Sequence, residues 1–192
     1  VSMLREDFAR TGFYSLLTTH YSRSYMTLTD LNALDQPAFT AALGGIFEHS
    51  PWIAEASFAA RPFASVDALH AAMCATLAAA SDDAKLALIR AHPELAGKLA
   101  IRGELTEAST REQAGAGLDR CSPEEFARLS ELNAHYGARF GFPFILAVRG
   151  HTRESIIANM AARIDNDRAT EIATALAQIE RIARFRLGDL LG

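Results

Sequence analysis

Apolar residues along this chain recur every three or four positions rather than every second one, the spacing of helices that bury one face. Phe39, Leu43, Ile46 and Phe47 follow Asp35-Gln36-Pro37, where aspartate can cap and proline can occupy the first turn. Ser50-Pro51-Trp52 repeats that start signal. Ser65 precedes Val66, Leu69, Met73 and Leu77. Ser81-Asp82-Asp83 opens a run through Leu86, Leu88 and Ile89 that reaches His92, where Pro93 stops it. Ser122-Pro123 announces a helix with Phe126, Leu129, Leu132 and Tyr136, and Thr152 one with Ile156, Ile157, Met160 and Ile164. A last helix is expected from about Thr170 to Leu191, carrying Ile172, Leu176, Ile179 and Ile182.

Strand signals are thin, because no alternating runs bounded by Asn-Gly or Asp-Gly turns occur. The β-like segment is Phe142-Pro143-Phe144-Ile145-Leu146-Ala147-Val148, and its proline favours an extended connector over a central strand. The pattern predicts an all-α, single-domain helical bundle over residues 26–192, with one extended connector around 142–148. Residues 1–25 read as an N-terminal extension outside that domain.

Composition narrows the functional classes. The 192 residues suffice for one core, and a net charge of −4 offers no basic surface for nucleic acid. No apolar run is long enough for a membrane span. Two cysteines without a secretion signal point to a reducing compartment and a cytoplasmic location. Cys74, in an apolar run, reads as a small buried hydrophobe. Six histidines occur, yet none pair at i, i+4 and none cluster with cysteine at zinc-ligand spacing. Gly115-Ala116-Gly117 lacks the flanks of a phosphate loop, so no metal or nucleotide cofactor is expected.

Two residues stand out by position. His92 ends a helix, where it can cap a free carbonyl and where the negative end of the macrodipole helps hold a proton. Ser109-Thr110-Arg111-Glu112 fits a capping box, which places Glu112 at a helix start that favours its anion. Singly, each has a bland structural explanation; brought together, they would form a proton-holding pair suited to acid–base work. Arg186 is either a solvated helix-face residue or a planar donor fork for an anionic or carbonyl-rich ligand.

Several segments together carry a specific resemblance: His92-Pro93-Glu94-Leu95-Ala96-Gly97-Lys98, Ser109-Thr110-Arg111-Glu112-Gln113, and Asn133-Ala134-His135-Tyr136 running on to Phe142-Pro143-Phe144-Ile145. In order and spacing they resemble the 2-oxo-4-hydroxy-4-carboxy-5-ureidoimidazoline (OHCU) decarboxylases, over roughly Leu28 to Leu191. The resemblance implies an all-α fold and cofactor-free decarboxylation of OHCU to (S)-allantoin in urate degradation. It implies His92 and Glu112 as the catalytic pair. Pro93, Ser109, Gln113, Phe144, Ile145, Val148 and Arg186 would bind substrate, with Arg184 as the alternative register for the arginine. A homodimer is also implied. Two other readings remain beside it: a helical ligand-binding or scaffold protein in which His92 and Glu112 only cap helices, and an acid–base lyase or hydrolase acting on another ureide.

Overall fold

The computed structural model describes residues 26–97 and 103–192. The extension expected over 1–25 and Lys98 lie outside the described residues. Nine α-helices are described: α1 Leu28–Ala33, α2 Gln36–Leu43, α3 Pro51–Ser57, α4 Val66–Ala79, α5 Asp82–Ala91, α6 Glu107–Gly115, α7 Pro123–Phe140, α8 Arg153–Arg163 and α9 Arg168–Leu191. Two single 3₁₀ turns, Phe58–Ala60 and Leu118–Arg120, join them. No strand occurs among the described residues, so the expected all-α class holds.

The start signals act as their chemistry requires. Side-chain oxygens of Asp35, Ser65, Ser81, Ser122 and Thr152 each accept from a backbone N–H in the first turn that follows. Such a bond satisfies a donor that the helix cannot, for about 1 kcal/mol each. α3 packs on α2 and α4, α9 packs on α4 and α5, and α7 packs on α8. The fully buried side chains include Leu31, Phe39, Phe47, Ile53, Leu69, Met73, Ile89 and Tyr136, so helices from both halves of the chain share one core.

Four local expectations need correction. α2 stops at Leu43, and Ile46 and Phe47 reach the core from the turn beyond it. Gly44 ends the helix where a Cβ would stand 2.9 Å from the Thr40 carbonyl oxygen. α6 starts at Glu107 with Thr106 as its cap, so Ser109 is the third helical residue and no capping box joins it to Glu112. α9 starts at Arg168, capped by Asp167, two residues before Thr170. Phe126 is 37% exposed and so lies outside the core.

The connector 142–148 has no strand partner, yet it is almost wholly buried. It crosses the interior between α7 and α8. That placement brings it opposite the end of α5, the middle of α6 and the last turns of α9.

Candidate functional site

The chain leaving α5 turns sharply. His92 is the C-cap residue of that helix, and Ala96 adopts a left-handed backbone (φ 50°). At Gly97 a Cβ would lie 2.6 Å from that of Glu94, so the turn leaves no room for a side chain. Gln113 of α6 braces it: Oε1 accepts from the Ala96 N–H at 3.0 Å, and Nε2 donates to the Glu94 carbonyl at 3.5 Å. His92 is thereby held on a wall where Pro93, Ser109, Glu112, Gln113, Phe144, Ile145, Val148 and Arg186 meet it around a cavity of about 40 Å³. Arg184 is directed elsewhere, donating from Nε to Asp67 at 2.8 Å on the surface.

His92 Nδ1 lies 2.9 Å from the Leu88 carbonyl oxygen, an acceptor only. The proton of a neutral ring therefore sits on Nδ1, and Nε2 carries a free lone pair. Nε2 is buried and has no hydrogen-bond partner among the described residues. Burial pushes the His92 pKa below its ordinary value. The bond to Leu88 and the charges of Glu48 and Glu112 oppose that push without cancelling it, and Arg186 adds to it. Helix-end polarity was expected to favour the imidazolium; desolvation outweighs it and the ring is neutral at pH 7.

Nor do His92 and Glu112 hydrogen-bond to each other. Glu112 lies in the second turn of α6 rather than at its start, and its carboxylate faces Arg186. Nε donates to Oε1 at 2.8 Å and Nη2 to Oε2 at 2.9 Å. The remaining arginine donors go to the Gly45 carbonyl, to Glu48 Oε2 and to Ser109 Oγ. All five N–H groups of Arg186 thus point at protein acceptors, so its fork is not free for a ligand. Burial works against its charge, but Glu112 and Glu48 together raise its pKa further.

Glu48 was not anticipated from the sequence. It is only 2% exposed, in the turn between α2 and α3, next to His49 with its left-handed backbone (φ 48°). It accepts from Arg186 and Ser109 through Oε2 and from Thr106 through Oε1. Burial pushes its carboxyl up, yet the Arg186 charge and these hydrogen bonds outweigh burial and hold it below its usual range. A signal was present: Glu48 is the lone charged residue between Asp35 and Glu55.

Ser109, Gln113 and Arg186 therefore have their polar atoms engaged within the protein. The polarity left at the cavity includes His92 Nε2, the rim charges of Glu112 and Arg149, and the connector backbone. Between Phe144 and Val148, bonds are made by the Ile145 carbonyl, the Ala147 N–H and the Val148 carbonyl. Among the described residues the Leu146 N–H and carbonyl have no partner, although Leu146 is buried at the cavity wall. Buried peptide groups are nearly always paired, so such a wall is suited to a ligand with amide-like edges. No three His, Cys, Asp or Glu side chains converge as a metal site among the described residues.

Fold and site together define an all-α protein whose buried neutral histidine faces a small cavity walled by backbone. Residues 32–188 match the OHCU decarboxylase family, and the chain belongs to that family. It is 43% identical over 164 residues to the Haloferax volcanii 2-oxo-4-hydroxy-4-carboxy-5-ureidoimidazoline decarboxylase, covering 85% of this chain and 95% of that one. It is 46% identical over 165 residues to the uric acid degradation bifunctional protein of Bacillus subtilis. There the match takes in 86% of this chain but only 33% of the relative, so the chain spans one third of that protein's length. A crystal structure of (S)-allantoin synthase superposes with a TM-score of 0.68 at 34% identity, covering 87% of this chain and 54% of that chain.

Proposed function

We propose that the chain decarboxylates OHCU to (S)-allantoin and carbon dioxide in urate degradation, as a carbon–carbon lyase without a cofactor. The observation that carries the mechanism is the buried Nε2 of His92, a lone pair with no protein partner at the cavity wall.

In OHCU one ring carbon bears both carboxylate and hydroxyl, beside a C=N bond. As the C–COO⁻ bond breaks, its electron pair forms a C=C bond and the C=N pair moves to nitrogen, which takes up the one proton the reaction consumes. The resulting enol must then lose its O–H proton and gain one on the former C=N carbon. His92 Nε2 accepts the first and delivers the second from one face, acting as base and then acid. Its Nδ1–H bond to Leu88 persists throughout and fixes the ring. Glu48 and Glu112 stabilise the transient imidazolium by charge, so Glu112 acts through the field rather than by contact.

Pro93, Phe144, Ile145 and Val148 shape the walls around the ring, and the free peptide groups of the connector read its ureide edges. Ser109, Gln113 and Arg186 bind substrate indirectly, by building the wall. Residues 26–192 form the catalytic unit. The protein acts as a homodimer, for which its Ala-rich helices are suited, and sedimentation would read that state. Cys74 and Cys121 are both free thiols, which suits a reducing, cytoplasmic setting. No described helix is long and apolar enough to cross a membrane.

The test is purified protein with freshly generated OHCU, following carbon dioxide release and the enantiomer of allantoin. His92→Gln should retain the fold by circular dichroism and lose stereoselective turnover. Normal turnover by that variant would refute the assignment, and an inactive wild type would refute the reaction.

A further inference from the structure

A second buried ionic cluster lies behind the cavity. Glu171 in the first turn of α9 is fully buried, and Arg163 at the end of α8 is 11% exposed. Arg163 Nε donates to Glu171 Oε1 at 3.0 Å, and Nη2 donates to the same oxygen. The Tyr136 hydroxyl also donates to Oε1, and Asn166 Nδ2 donates to Oε2 at 2.7 Å. Replacing a buried ion pair by apolar residues is often neutral or stabilising, so this network is not explained by stability alone.

Its one outlet supplies a reason. Arg163 Nη1 donates to the Ile145 carbonyl at 2.8 Å, and the guanidinium lies 4.4 Å from the centroid of the Phe144 ring. Phe144 in turn stands edge-on to Tyr136, with centroids 5.4 Å apart. Two residues along, the Ala147 N–H donates to Gln178 Oε1 of α9 at 3.0 Å. An extended segment with no neighbouring strand has no ladder to fix its register. Here two side chains do so, one on each side of Leu146.

We infer that Arg163, held by Glu171, and Gln178 are positioning residues that pin the connector so that the peptide groups around Leu146 present a fixed edge to the substrate. The inference rests on the proposed OHCU reaction. Neither residue lines the cavity or touches the reacting atoms, and each acts through the backbone between Phe144 and Val148. A misplacement of about 1 Å in such a wall can cost up to about a hundredfold in rate.

The experiment compares wild type, Arg163→Lys and Gln178→Met in steady-state turnover of OHCU, with amide hydrogen exchange over 144–147. Lysine keeps the charge against Glu171 but loses the planar fork that also reaches Ile145. Methionine keeps the length of Gln178 and removes the acceptor for Ala147. Each variant is expected to lower kcat/KM by about tenfold or more, chiefly through KM, to exchange faster at Ala147 and to release some (R)-allantoin. The acid limb of the pH profile stays in place, because His92 and its neighbours are untouched. Folded variants with kcat and KM within about twofold of wild type, and unchanged exchange, would overturn the inference. Gln178 is half-buried, so its variant gives a reading even where Arg163→Lys fails to fold. Wild-type inactivity on OHCU is a separate outcome that removes the reaction itself.

Discussion

Arg186 and Glu112 meet fork to fork, through parallel bonds of 2.8 and 2.9 Å, and this pairing rather than a His92–Glu112 contact organises the site. Arg186 also holds Glu48 at 2.8 Å, so one guanidinium joins two carboxylates from distant parts of the chain. With His92 neutral, the cluster carries one net negative charge. Such an assembly stabilises a proton arriving at His92 and does little to attract an anion.

Arg186→Met should therefore damage stability as well as activity. It leaves Glu48, whose side chain is 1% exposed, as a buried and uncompensated carboxylate. A loss of about 3 kcal/mol is expected, because removing one partner of a buried pair strands the other. Urea denaturation checks it. Arg186→Lys should recover part of the stability but little activity, since an ammonium cannot reproduce the planar, five-donor arrangement.

The histidine sets the pH dependence. Its folded pKa is lowered by burial, so the free enzyme keeps the reactive lone pair to below pH 6.5, the value of an unburied histidine. The acid limb of kcat/KM should fall below that value. Bound substrate adds a carboxylate beside the ring and raises its proton affinity, so the acid limb of kcat should lie at higher pH. The linked stability has a definite sign. Between the lowered folded pKa and 6.5 the unfolded chain binds more protons at His92. That contribution is complete above 6.5 and is lost as pH falls through the window.

Glu48→Gln separates charge from shape. The amide oxygen can still accept from Ser109 while the NH2 takes the place of the oxygen that faces Thr106, whose hydroxyl can accept instead, but the carboxylate that helps His92 hold a proton is gone. The acid limb of kcat/KM should move to still lower pH, and kcat should drop by about tenfold to a hundredfold as imidazolium stabilisation is lost. A drop in melting temperature with an unmoved pH profile would make Glu48 structural only.

Helix positions were legible because capping residues and apolar spacing act locally: Asp35, Ser65, Ser81, Ser122 and Thr152 each cap the helix their pattern announces. Competition between two adjacent caps was not. Thr106 and Ser109 are both chemically competent, and the choice of Thr106 moved Glu112 from a helix start to its second turn. The residues expected at the site converge on one cavity, but their bonding could not be read from spacing. The family resemblance implies ligand-binding roles for Ser109, Gln113 and Arg186, yet each is engaged by a residue far along the chain. His92 shows the same limit: its helix end was visible, but the burial that reverses the expected protonation depends on tertiary packing.

Ligand protection distinguishes an enzyme pocket from a helical scaffold in which His92 is only a cap. A product that binds the folded state alone stabilises it by about 2.7 kcal/mol at a hundred times its dissociation constant. (S)-Allantoin should therefore raise the melting temperature of wild type in proportion to the logarithm of its concentration. The wall is asymmetric: His92 approaches from the end of α5, and the connector from between α7 and α8. The ureido-bearing carbon must present its hydrogen to His92 while the ring edges meet the backbone near Leu146. (R)-Allantoin places that hydrogen on the opposite face and should protect less at every concentration. Equal protection by both enantiomers would mean that the cavity does not distinguish the face on which protonation occurs, and the single-histidine mechanism would lose its stereochemical basis.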